Sequence, residues 1–383
     1  MEKDFNPFLV SGYKGSEYFC DRVNETTLLK SHIKNNKNTT LFAIRRLGKT
    51  GLIHHVFESF NKSNTIACIY VDILGTKNLK EFTNQLATAI YNRFPENRGI
   101  GKKIVDAIKL LRPLISYDSL SGSPELSFEL GEAKQYEKTI QQLFTFLDQQ
   151  KIKTVFAIDE FQQILEYPEK NTEALLRTYI QQLKNVNFIF CGSNQKMMHE
   201  IFNSAKRPFF ASCSNVNLNF IALHEYEVFI TNTFKLKNRK ISTDSVSFIL
   251  DWTKQHTFYT QYFCNFLYAL NIKQIALGDV QKAAIEILIQ NESIYYQYRN
   301  LLTDSQWNLL QAVANENKLF KAHSKKFIDK YKLGTSSMVT RGLESLLQKE
   351  MIYYNAGVEQ PYYEVYDKFL MRWLQHKQST HFM

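Results

Sequence analysis

Gly48-Lys49-Thr50 stands between an apolar run, Thr40-Leu41-Phe42-Ala43-Ile44, and a helix-like stretch, Leu52-Ile53-His54-His55-Val56-Phe57. Strand, short loop, Gly-Lys-Thr and helix are the parts of a phosphate cradle. A helix N-terminus offers unpaired backbone N–H groups and partial positive charge, lysine adds a mobile cation, and threonine brings a hydroxyl for Mg²⁺. The full G-x-x-x-x-G-K-[ST] pattern would put its first glycine at Ala43, so the three residues need a partner. Thr154-Val155-Phe156-Ala157-Ile158-Asp159-Glu160 supplies one: an apolar strand delivers two carboxylates at its C-terminal end, where open α/β sheets bind ligands. In phosphoryl transfer one such acid supports the metal and the next polarises a water. Either motif alone is weak, since many strands end in solvated acids. On two strand ends of one chain they point to a Mg²⁺–nucleotide site.

The elements that must position these residues alternate over residues 1–215. Strand-like runs at 39–44, 65–72, 154–158 and 187–191 are separated by helical patterns at about 50–61 and 79–94, the order of a parallel sheet with crossover helices. The alternation lapses between 95 and 134, where 115–131 reads as two short strands about a Ser-Gly-Ser-Pro turn. From 223 to 298 helical periodicity takes over. Three helices and a two-stranded ribbon then follow, the order of a winged helix. The expected fold is α/β, a P-loop parallel-sheet core at 1–215, a helical lid at 216–296 and a winged helix at 297–383.

The strand at 187–191 ends in Gly192-Ser193-Asn194. Ser193 or Asn194 could face a γ-phosphate or attacking water, or the segment could be only a turn and helix cap. Arg45 and Arg46 are bulky for a phosphate loop; they either reach a phosphate or point to solvent. His54 and His55 are adjacent on a helix and lack a metal partner at i+4, which favours structural roles.

Taken together, Asn6-Pro7-Phe8, Phe19-Cys20-Asp21-Arg22 with Glu25, Arg45-Arg46-Leu47-Gly48-Lys49-Thr50, Ile158-Asp159-Glu160-Phe161, Gly192-Ser193 and Arg207-Pro208-Phe209-Phe210 resemble the prokaryotic archaeal-type ATPases, a STAND-like branch of the AAA+ related P-loop ATPases. The resemblance spans nearly the whole chain, and members of that family also lack the first glycine. It implies that Lys49 contacts the β- and γ-phosphates within a cradle of Arg46, Gly48, Lys49, Thr50 and Gly51. Thr50 and Asp159 would hold Mg²⁺, Glu160 would be the catalytic carboxylate, Ser193 would face the phosphate end, and the segment containing Arg22 would lie near adenine and ribose. Ile44 replaces the usual proline, at small expected cost because the strand runs one residue longer. Ala211-Ser212 stand where the family often has Gly-Arg, so no arginine finger is assigned there. Arg207, the nearest remaining cation, is the catalytic candidate; an ordinary helix-end role competes.

Composition bounds the rest. At 383 residues, 44% hydrophobic and 14% aromatic, the chain is not broadly disordered. No apolar run approaches the roughly 20 residues of a membrane span, and Met1-Glu2-Lys3-Asp4 is unlike a secretory signal; a cytoplasmic protein is expected. Five scattered cysteines without a C-x-x-C spacing suggest neither a disulfide framework nor a zinc site. A net charge of +10 suits a polyanion without requiring one.

In the tail, Lys318, Lys321, Lys325, Lys326, Lys330 and Lys332 precede a turn and an N-cap, after which Thr335, Ser336, Ser337, Thr340 and Arg341 would lead a helix into a major groove. Winged helices also dock proteins. The resulting expectation is an ATP-binding, Mg²⁺-dependent ATP-hydrolysing switch that acts on the winged helix. Its partners would be ATP or ADP and either duplex DNA or a protein, with no membrane and with oligomer formation open. The alternative is a DNA-binding regulator or docking adaptor with a mainly signalling nucleotide site.

Overall fold

The computed structural model describes residues 5–63, 65–94, 113–117, 124–128, 133–355 and 359–380. The first half runs α1 (Val23–Lys34), β1 (Thr39–Ala43), α2 (Lys49–Ser63), β2 (Ile66–Asp72) and a helix at Leu79–Arg93. The hairpin β3 (Pro113–Tyr117) and β4 (Pro124–Phe128) follows, then a helix at Ala133–Asp148, β5 (Lys153–Asp159), a helix at Thr172–Ile180, β6 (Val186–Gly192), a helix at Gln195–Asn203, and β7 (Ser214–Leu218). The antiparallel hairpin is the one expected near 115–131; its turn lies outside the described residues.

Every residue of β1 and β6 is buried, as strands covered on both faces must be, and this is why they read as unbroken apolar runs. The sheet order is β2-β5-β6-β1-β7, parallel throughout. β6 therefore lies between the strand that leads to Gly48 and the strand that ends in Asp159. Register aligns Phe42 with Gly192 and Asp72 with Asp159, so the C-terminal ends come level.

An aromatic cluster fixes those ends. Phe161, immediately after Glu160, is fully buried against Phe190 at 4.6 Å and Phe209 at 5.5 Å, and Phe188 stacks on Phe190 at 5.6 Å. Truncating such a ring to alanine costs about 3–5 kcal/mol. Phe209 belongs to the Arg-Pro-Phe-Phe segment noted in the sequence, so that segment packs beneath the strand end that carries the two acids.

Contacts divide the described chain into two compact units, Ser11–Phe220 and a second comprising 5–10 with 221–380. Residues 5–10, counted with the core in the sequence reading, thus group with the second unit: Phe8 is buried against Phe229 and Phe234, and Asn6 and Asn265 exchange side-chain hydrogen bonds with the backbone. That unit holds helices at Leu223–Leu236, Thr243–Trp252, Thr257–Ala269 and Leu277–Asn300, with a short parallel pair β8 (Lys240–Ile241) and β9 (Gln274–Ile275) that periodicity did not reveal. Helices at Asp304–Glu316, Lys325–Tyr331 and Ser336–Gln348 lead to the antiparallel ribbon β10 (Ile352–Asn355) and β11 (Tyr362–Val365), then to a helix at Lys368–Thr380. Gly334 takes φ 83° and Thr335 caps the helix that follows. Among the described residues no helix is long and apolar enough to cross a membrane.

Candidate active site

β1 ends at Ala43, so Ile44 opens the loop; it does not extend the strand as the sequence suggested, and it is buried there. Leu47 N–H donates to Ile44 O at 3.3 Å, and Arg46 and Gly48 flank it in left-handed backbone at φ 62° and 97°. Such alternation turns successive N–H groups toward one side and makes an anion-binding concavity. Gly48 meets its φ without the Cβ penalty that Arg46 carries. Helix α2 begins at Lys49, directly beyond. Ala43 is buried inside the sheet, so the position of the missing first glycine is a strand end, not part of the concavity.

The loop is braced by Arg22, which is 3% exposed. Its guanidinium donates to Leu47 O at 3.2 Å, to Asn219 O at 2.5 Å and to Glu25 at 3.0 Å. Nearby Phe19 stacks on His55 at 4.3 Å and approaches Gly51. Arg45 and Arg46 are exposed.

Lys49 and the two acids come together. Lys49 Nζ lies 2.6 Å from Asp159 Oδ1 and 3.3 Å from Glu160 Oε1. Asp159, 3% exposed, also accepts hydrogen bonds at Oδ2 from Thr50 Oγ1 at 3.0 Å and Tyr70 OH at 2.9 Å, and at Oδ1 from Glu160 N–H at 2.9 Å. Glu160, at φ 55°, turns the chain out of β5. Its Oε2 accepts from Ser193 N–H at 3.0 Å, Ser193 Oγ at 2.7 Å and Gln162 Nε2 at 2.6 Å. Asn194, the alternative to Ser193, caps the next helix by accepting from Met197 N–H at 3.1 Å.

Burial pushes both carboxyls up, but Lys49 and the hydrogen-bond donors outweigh it and hold Asp159 and Glu160 below the usual carboxylate range. Burial likewise opposes the Lys49 charge, and the two acids overcome it and raise the lysine. Tyr70 is raised by burial and by Asp159, which keeps its phenol a neutral donor. Cys191, fully buried behind them, is pushed well above its ordinary value and stays a thiol. His54 is lowered by burial against the pull of Asp159.

Arg207 has other partners. Its guanidinium pairs with Glu173 at 2.7 Å and with Glu200 at 3.7 Å, tying the segment after the helix Gln195–Asn203 to the helix Thr172–Ile180. Tyr70 and Gln162 are the residues at the acids that sequence reasoning missed. The available signals were a tyrosine near the end of an apolar strand and a polar residue inside Glu160-Phe161-Gln162-Gln163-Ile164.

A five-stranded parallel sheet with a loop-to-helix phosphate concavity on one strand and paired acids two strands away defines a P-loop nucleotide-binding protein of the α/β class. Residues 19–209 match the family model described as an ATPase domain predominantly from Archaea, and residues 293–376 match a probable winged helix domain. The chain belongs to this archaeal-type P-loop ATPase family with a C-terminal winged helix. Solved structures share the fold at low identity. The Walker-type ATPase of Pyrococcus abyssi is 16% identical with a TM-score of 0.66, over 96% of this chain and 99% of its own. The ORC2 protein of Aeropyrum pernix, in ADPNP–ADP complexes, is 13% identical with a TM-score of 0.57, over 98% and 99%. The ORC1 protein of the same organism, in complex with DNA, is 10% identical with a TM-score of 0.50, over 95% of each chain. No curated protein matched by sequence.

Proposed function

We propose that the chain binds ATP with Mg²⁺, hydrolyses it, and uses the nucleotide state to act on its winged helix. The observation that carries this reading is the meeting of Lys49 and Thr50 with Asp159 and Glu160 at 2.6–3.3 Å. The donor set fits Mg²⁺, which favours one or two carboxylates and hydroxyl or phosphate oxygens. Thr50 and Asp159 would hold the ion, whose contribution when bound is to neutralise charge on the phosphates.

The remaining roles belong to the chain. Backbone N–H groups around Gly48 and the start of α2 hold phosphate, and Lys49 exchanges its carboxylates for phosphate oxygens. Glu160 is freed of that cation and accepts a proton from the attacking water. Gly51, with Phe19 packed against it, is read as the side of α2 that faces the nucleotide, and Arg22 acts by bracing the loop. Arg207 is proposed to tie together the helices around the site, because its ion pairs run to Glu173 and Glu200.

A DNA-binding role for the winged helix is supported by exposed Thr335, Ser336, Ser337 and Arg341 at the start of one helix, with Lys325 and Lys326 exposed on the helix before it. The core is read as residues 1–215, the lid as 216–296 and the winged helix as 297–383, with 5–10 docking on the lid. ATP turnover with and without duplex DNA tests the reading: DNA-stimulated hydrolysis supports it, and no hydrolysis in any condition overturns it in favour of a signalling site.

A further inference from the structure

Gln162 lies in the short 3-10 helix Phe161–Glu166 that follows Glu160, and it is 7% exposed. Its Nε2 donates to Glu160 Oε2 at 2.6 Å, while its Oε1 has no hydrogen-bond partner. The amide orientation is fixed by chemistry, since the reverse would set two acceptors face to face. The amide keeps its donor on Glu160 even though its buried acceptor is left unmet.

A second element is shaped around the same amide. Gly192, the last residue of β6, leaves room that a Cβ would fill: the added atom would overlap Gln162 Oε1 most severely, and would also press on Met198 Sδ and Cγ at 2.8 and 2.9 Å. Glycine at the end of β6 is what lets the amide lie across the strand, and Ser193 follows at once with its two donors to Glu160 Oε2. Three donors therefore converge on one carboxylate oxygen, and the other, Oε1, faces Lys49 at 3.3 Å.

We propose that Gln162 is a positioning residue for Glu160. With Ser193 it grips Oε2, so that Oε1 becomes the oxygen presented to the attacking water once phosphate draws Lys49 away. This role rests on the hydrolytic reading above. Gly192 supports it by leaving room for the amide.

Gln162→Met keeps the length and removes both polar atoms. With ATP as the probe, kcat is expected to fall about tenfold or more, with KM for ATP unchanged. A merely structural role would move KM as well as kcat. Gly192→Ala displaces the amide but also presses on Met198, so it is made in a Met198→Ala background; there it is expected to reproduce the kcat loss, and to add no further loss once Gln162 is also alanine. If Gln162→Met does not fold, that second pair of variants decides. An active parent whose Gln162→Met variant, or whose Gly192→Ala variant in the Met198→Ala background, keeps the parental kcat overturns the Gln162 role alone, as does a loss confined to KM. A parent without ATP turnover overturns the hydrolytic reading and this role with it.

Discussion

Lys49 meets Asp159 at 2.6 Å across the end of β6, the strand that separates theirs. The phosphate-loop cation is thus already neutralised by protein carboxylates, and phosphate must compete for it. Lys49→Ala removes the cation and leaves buried Asp159 and half-buried Glu160 without their counterion. ATP turnover is expected to fall to background and ATP affinity to drop at least about tenfold, the loss of one charge-assisted contact. Glu160→Gln, by contrast, should retain ATP binding and lose turnover. Equilibrium binding and a phosphate-release assay on both variants check this; turnover in Lys49→Ala equal to the parent would sink the assignment.

Acid stability follows from the same pair. Asp159 and Glu160 are held below their ordinary values, so their contribution is fully present above the unfolded-state values of about 3.9 and 4.3. It is lost as pH falls from there through the lowered folded values. Denaturation midpoints between neutral and about pH 3 should fall more steeply for the parent than for Asp159→Asn, which lacks one of the two titrations. Equal slopes would mean that the ion pair contributes nothing to folding.

Much of this site could be read from the chain. β5 and β6 are buried on both faces, so they appear as apolar runs, and the acids and serine at their ends stand out by contrast. What could not be read depends on strand order and on side chains meeting across it. Tyr70 reaches Asp159 because β2 happens to lie beside β5. Arg207 looked like a free cation only because Glu173, its buried partner, sits on a helix with no sequence mark of that pairing. Arg22 was legible as part of a motif; its grip on Leu47 O, made through the folding of α1 against the loop, was not.

Tyr70→Phe removes one donor from a buried carboxylate and changes little else. A hydrogen bond to a charged group contributes about 1.5–3 kcal/mol, so destabilisation in that range is expected at neutral pH. The difference should shrink in acid as Asp159 protonates. Urea denaturation at both pH values measures it, and a neutral-pH difference below about 0.5 kcal/mol, the range of an ordinary surface substitution, would exclude the bond.

Arg22→Met is predicted to act on the loop without touching the carboxylates. It strips Leu47 O and Asn219 O of a donor; Asn219 is exposed and water can replace the lost bond there, but the buried Leu47 carbonyl left unsatisfied costs about 1–3 kcal/mol. A loosened loop should weaken ATP binding more than it slows the bound-state step. The signature is a rise in KM with a smaller change in kcat, together with a lower melting temperature. A variant with parental KM would show that the brace is structural only.

The winged helix offers a graded test, because its lysines are not equivalent. Lys330 is paired with Glu316 at 2.7 Å, and Lys318 lies 4.9 Å over the Tyr362 ring, so both are already engaged. Lys325, Lys326 and Arg341 are exposed on the two helices beside the Gly334 turn. If this face grips duplex DNA, log affinity should fall linearly with log salt, and each alanine replacement among these three should reduce the slope by about 1. Lys330→Ala should change it less. A slope equally reduced by Lys330→Ala would place the contact elsewhere. No binding at low salt would remove the DNA reading and leave protein docking as the role of this domain.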